Sequence, residues 1–213
     1  MNKLQKLLYL VSISLFVVSC ATDKSKVVAT VGTETHHNIE QNDECQINSP
    51  KFTPEIALSL VEKWGNDLQW NDKTEKIESV AMNLIANNYQ TNATLLPTIS
   101  ANTRSTNMQL YNYFAGSSTE SGFLTKHPKM IIHKEEQHVD AMGCGYGIDS
   151  GKYDFVIDPN TKKETIVHAR YTYGYHYITD PIDSKFEVNG KIILIPRDKG
   201  WYIIQHNSAF VPN

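Results

Sequence analysis

The sequence predicts an α+β domain, on three observations. Apolar residues recur at helical spacing between positions 53 and 87, and from Lys129 to the end they alternate as they do in strands. The helices precede the strands instead of alternating with them, which argues for helices packed on one face of a mostly antiparallel sheet.

The first helix opens at "FTPEIALSLVEKWGNDLQW". Thr53 suits the N-cap, Pro54 the first helical position and Glu55 the positive helix end. Ile56, Leu60, Val61, Trp64 and Leu68 form its apolar stripe. Asp72 and Glu75 read as a capping box for a second helix, with Ile77, Val80, Ala81 and Leu84 facing inward. "YQTNATLLPTIS" reads as a strand ending at Pro97. Ser105 is expected to cap a short helix that turns Leu110 and Phe114 inward. "KMIIHKEEQHVDAM", "GYGIDSGKYDFVID", "TIVHARYTYGYHYI" and "KIILIPRDKGWYIIQHNSAFV" read as strands. Between the last two, "TDPIDSKFEVNG" reads as a long connection, and Asp198-Lys199-Gly200 as a hairpin turn.

The N-terminus has a different character. Lys3 and Lys6 precede an apolar run from Leu7 to Val18, which is the layout of a secretory signal. Val17-Val18-Ser19-Cys20 resembles the bacterial lipobox, which implies lipidation of Cys20. Ala21-Thr22 lacks an inner-membrane retention aspartate, so an outer-membrane anchor facing the periplasm is expected. The chain therefore divides into a signal peptide (1–19), a lipidated cysteine with a flexible tether (20–50) and a folded domain (51–213). In an oxidising compartment Cys45 and Cys144 are candidates for a disulfide.

The 213 residues carry a formal net charge of −3, so no bulk field favours nucleic acid, and no nucleic-acid-binding motif appears. No cofactor motif is present; the histidines and acids of 133–140 could hold a metal or form an acid–base pair, but nothing fixes the ligand geometry and they read as a solvated strand face. The segment "HARYTYGYHY" holds the main functional question. Alternation puts Val167, Ala169, Tyr171, Tyr173, Tyr175 and Tyr177 on one face, and His168, Arg170, Thr172 and His176 on the other. Either the second face meets water, or it lines a pocket in which Arg170 binds a ligand.

Three motifs in order, Leu95 to Ser100, Ala169 to Tyr173 and Trp201 to Pro212, resemble a bacterial family. That family is similar to the association domain of calcium/calmodulin-dependent protein kinase II, within the nuclear transport factor 2-like (SnoaL-like) superfamily. His206-Asn207 and Ser208-Ala209 stand where the family has a double histidine and a double serine, and they read as structural residues closing the last strand. No kinase motif is present. The resemblance implies a cone: a strongly curved antiparallel sheet around N-terminal helices, with a deep pocket. It places Arg170 in that pocket, flanked by His168 and Thr172, with Tyr111 or Tyr113 over the mouth. It turns the tyrosine face outward to pair with a second copy of the chain, a homodimer or larger. The expected function is ligand binding or self-association without catalysis, for a small anionic or carbonyl ligand. The alternative is an isomerase or hydrolase of the same superfamily.

Overall fold

The computed structural model describes residues 49–98, 100, 102–188 and 191–211. The signal peptide, Cys20, the tether and Cys45 lie outside the described residues.

Helix α1 (Pro54–Asp67) starts as expected, with the Thr53 hydroxyl accepting from the Ile56 amide at 3.3 Å. Helix α2 (Ile77–Asn88) begins later than the Asp72/Glu75 pair suggests, with Lys76 at its N-cap. Glu75 instead accepts from the Asn71 amide at 2.7 Å and closes a turn ahead of the helix. Strand β1 (Tyr89–Leu96) follows directly. Helix α3 (Asn107–Ala115) is capped by Thr106, one residue after the expected Ser105, because the Thr106 hydroxyl is the one that accepts from the Gln109 amide.

Strands β2 (Lys129–Gly143), β3 (Tyr146–Ile157) and β4 (Thr165–Ile178) form a continuous antiparallel meander. The β2–β3 turn is tight. Cys144 and Gly145 have φ values of +51° and +76°, the left-handed pair that a two-residue hairpin with matching twist requires. Cys144 is disulfide-bonded. The expected connection after β4 is itself a strand, β5 (Ile182–Val188), paired with β6 (Lys191–Arg197). Strand β7 (Gly200–Phe210) belongs to the main sheet, so Asp198-Lys199-Gly200 joins two different sheets and is not the tip of a hairpin.

The main sheet has the order β1-β7-β4-β3-β2. It is curved and antiparallel except at one edge, where β1 runs parallel to β7. Trp64, 2% exposed, is at the centre of the core. Its ring lies 6.0–6.4 Å from those of Tyr153, Phe155 and Tyr173 and edge-on to His206 at 5.1 Å. Such aromatic pairs add roughly 0.5–1.5 kcal/mol each beyond area burial.

The tyrosine face of β4 is this core. Tyr171, Tyr173 and Tyr175 are 3%, 0% and 2% exposed. Their alternation was read correctly, but the expected direction is reversed. The rings carry the large apolar area and pack beneath the helices, while the polar face meets water.

Arg197 is a second notable feature of the core. It is 2% exposed, and none of its guanidinium nitrogens has a hydrogen-bond partner among the described residues. The guanidinium lies over the rings of Phe186 (5.5 Å) and Tyr202 (5.0 Å), and burial lowers its pKa to about 10. Cation–π contact recovers only part of the desolvation cost. Arg197→Met is therefore expected to stabilise the domain by about 1–4 kcal/mol, read as a raised midpoint in thermal unfolding. A lowered midpoint would show that the guanidinium has an anionic partner.

Candidate functional site

The polar groups inside the domain form a connected chain. The Trp64 indole N–H donates to the Tyr89 hydroxyl at 2.9 Å. The Tyr89 hydroxyl lies 2.8 Å from His206 Nδ1. An indole can only donate, so the Tyr89 oxygen accepts from Trp64. When the Tyr89 proton goes to Nδ1, the neutral ring carries its own on Nε2, which faces the Tyr153 hydroxyl at 3.4 Å. Tyr153 meets the Ser208 hydroxyl at 2.6 Å, and Ser208 is hydrogen-bonded to Thr98.

The far end of this chain opens into a small cavity with room for about one water-sized molecule. Thr98, Tyr153, His206 and Ser208 supply its polar wall, and Leu95, Pro97, Phe123 and Phe155 make up most of the rest. Burial drops the His206 pKa to about 3, so the imidazole is neutral at physiological pH. Burial pushes the Tyr153 hydroxyl well above the ordinary phenol range, with Ser208 and Thr98 opposing the shift.

A β-bulge brings His206 and Ser208 inside. On β7, Trp201 and Ile203 face inward, so strict alternation would turn His206 and Ser208 out. Tyr175 pairs with Ile203, yet Gly174 pairs with Gln205, which leaves Ile204 as the extra residue. The inserted residue reverses the parity, and His206 and Ser208 face Tyr173 and Tyr171 on the inner side. No sequence period reports such a reversal. The available signal was the family motifs themselves, which contain Thr98, His206 and Ser208. Sequence reasoning read the last two only as closing the strand.

The sequence-predicted ligand residues lie elsewhere. Arg170 and His168 are exposed and Thr172 is half-buried, all on the outer face of β4. The pocket role given to them is corrected by that orientation: water solvates the guanidinium, and no buried anion is needed. Tyr113 lines the cavity, whereas Tyr111 is buried but does not reach it. Self-association argued from an exposed tyrosine face loses its basis, because that face is the core.

One buried acid also escaped the sequence reading. Asp149, on the inner face of β3, is 0% exposed, and neither carboxylate oxygen makes a well-formed hydrogen bond. Burial pushes its pKa up to about 6, although Gln137 and Tyr171 oppose the shift. Gly151 makes the neighbouring space, since a Cβ there would come within 2.9 Å of the Tyr171 hydroxyl.

No family model matches the chain, and no curated protein does. Solved structures do. A Xanthomonas campestris protein, named for the association domain of calcium/calmodulin-dependent protein kinase II, is 27% identical. That match covers 73% of this chain and 86% of that one, with a TM-score of 0.49. The iota-carbonic anhydrase from a cyanobacterium, solved in complex with bicarbonate, is 19% identical. It covers 78% of this chain and 97% of that one, with a TM-score of 0.56. An NTF2-like protein with a cystatin-like fold from Novosphingobium aromaticivorans is 7% identical, covers 75% and 82%, and has a TM-score of 0.47. The domain has the nuclear transport factor 2-like fold, as the sequence resemblance implies.

The Asp149 shift has a defined sign. The folded state holds a proton that the unfolded chain, with an ordinary carboxyl near 3.8, has released. This group's contribution is therefore most favourable below about pH 4, falls as pH rises to about 6, and is flat above. Asp149→Asn is expected to match wild type near pH 4 and to exceed it by about 3 kcal/mol near pH 8. Urea unfolding at the two pH values checks this, and a variant with no advantage at pH 8 would contradict it.

Proposed function

We propose that the cavity binds carbon dioxide and bicarbonate and interconverts them. The observation that carries this reading is the convergence of three hydroxyls, from Thr98, Tyr153 and Ser208, beside a neutral imidazole in an otherwise apolar cavity. The cavity has room for one water-sized molecule as it stands, so carbon dioxide or bicarbonate enters only when the side chains of Thr98, Tyr153 and Ser208 move apart, and a steroid-like guest is excluded. The apolar wall suits carbon dioxide, and the hydroxyls suit the oxygens of bicarbonate. A protein of the same fold solved with bicarbonate supplies the ligand class.

In the forward direction a water oxygen bonds to the carbon, and one C=O pair moves onto oxygen. The Ser208 hydroxyl donates to the oxygen that gains charge, and the Tyr153 hydroxyl donates to Ser208 and so supports it. The released proton passes through the Ser208 and Thr98 hydroxyls to solvent. His206 does not keep it, because its pKa is lowered to about 3. The role of His206 is to orient Tyr153, within the polar chain that runs from Trp64 and Tyr89. The expected outcome is carbon dioxide hydration above the buffer rate in a stopped-flow indicator assay. Tyr153→Phe and Ser208→Ala should each lower kcat/KM by about a hundredfold. A wild-type rate equal to the buffer blank would end the catalytic reading.

One observation favours a second reading. Among the described residues the cavity wall includes no carboxylate, and the imidazole of His206 is held neutral, so none of them offers the guest a strong base. The site would then hold a small oxyanion without turning it over, as the sequence led us to expect. Carbon-13 line broadening of bicarbonate, lost in Ser208→Ala, together with no hydration activity, would select this alternative.

The proposal extends to location. Cys20 carries a lipid, and the domain stands off the outer membrane in the periplasm, supported by Lys3, Lys6, the apolar run and Val17-Val18-Ser19-Cys20. Cys20→Ala should move the protein out of the membrane fraction. Unchanged fractionation, with no lipid mass on the mature N-terminus, would rule the anchor out.

A further inference from the structure

The β2–β3 turn carries a sulfur that the cavity does not use. Cys144 is disulfide-bonded, and no other cysteine occurs between Ser49 and the end of the chain. The turn itself does not ask for a cysteine. A φ of +51° belongs to the left-handed region, where a side chain with a Cβ is strained and Asn, Asp or Gly is preferred. The residue is therefore there for its sulfur. The chain enters the domain against this same turn. A Cβ on Gly145 would come within 3.2 Å of Ser49 Oγ, and one on Gly147 would strike the Phe52 ring at 2.2–2.3 Å. Ser49, Lys51 and Phe52 thus run past the start of β3, and with Cys144 and Trp201 they line one groove. Phe52 closes that end of the core, its ring 4.8 Å from Trp201 and 5.3 Å from Tyr175.

We propose that the partner of Cys144 is Cys45, and that their disulfide straps the segment ahead of α1 to the β2–β3 turn. Cys45 stands four residues before Ser49, and four residues span at most about 14 Å. Ser49 already lies against Gly145, the residue next to Cys144. Cys45 can therefore come within the Cα separation of about 4.4–6.8 Å that a disulfide needs. Cys20 is 29 residues from Ser49, and it is the residue that the lipobox resemblance assigns to a lipid. The strap joins positions about 100 residues apart and holds Phe52 over the end of the core.

The bond forms by exchange with the disulfide of an external oxidant. One cysteine thiolate attacks that disulfide and makes a mixed one, and the second thiolate displaces the oxidant's remaining sulfur. The two thiols of the chain give up two protons and two electrons. The oxidant takes them up and leaves as two thiols. An exported domain keeps the oxidised state, since no thiol pool there reduces it.

Full-length protein equilibrated with oxidised glutathione, alkylated with iodoacetamide and cut with trypsin tests this. The expected product is peptide 27–51 joined to peptide 135–152 within one chain. The oxidised protein should unfold about 5–15 °C above protein kept in dithiothreitol. Cys45→Ser and Cys144→Ser should each remove that difference, and Cys20→Ser should leave it intact. Alkylated or glutathione-capped Cys45 and Cys144 overturn the proposal. So do Cys20 in the link, a covalent dimer on a non-reducing gel, and equal midpoints for the oxidised and reduced protein.

Discussion

The interior is organised by a group that can only donate. The Trp64 indole donates to the Tyr89 hydroxyl, Tyr89 meets His206 Nδ1, and His206 Nε2 faces Tyr153. Four residues from α1, β1, β7 and β3 are thereby joined in one polar chain. A buried neutral imidazole without such partners would cost free energy, and with them it becomes a directional link. The same residues are also packing elements. Trp64 fills the space under the curved sheet, so the polar chain and the aromatic core are held by one side chain.

The site depends equally on an irregularity. Without the extra residue at Ile204, His206 and Ser208 would lie on the solvent side of β7 and the cavity would keep only Thr98 and Tyr153 of its polar wall. Bulges next to functional sites re-aim side chains in this way, and here the bulge separates two kinds of strand. Before it, Trp201 and Ile203 serve the core, and after it the inward positions carry the polar groups. The strand opposite is regular, so Tyr173 and Tyr171 meet His206 and Ser208 in ordinary cross-strand register.

These features explain what was legible in the sequence. The α+β class, α1 with its Thr53 cap, the strand set and the two faces of β4 all follow from short-range patterns, and the structure contains them. The direction of the β4 faces was misread because the resemblance put Arg170 inside, whereas tyrosine area decides which face is buried. Asp149 was legible in principle, as it shares parity with Tyr153 and Phe155 on β3. Its unfavourable burial made it look like a surface residue. Strand β5 was missed because Pro181, Asp183 and Ser184 resemble a loop, and its pairing with β6 outweighs that composition.

The parallel edge of the sheet has a consequence for how the molecule comes into being. Tyr89 and His206 are 117 residues apart, and β1 has no neighbour in the main sheet except β7. The edge strand must wait for the last segment of the polypeptide before it can join the ladder. Until then its ladder with β7 is unmade, although Leu95 pairs locally with Arg104, and loop-closure entropy opposes early docking. Thr98, just beyond β1, meets Ser208 only at that final step. The polar end of the cavity is thus absent until Ser208 has been made and has docked against Thr98.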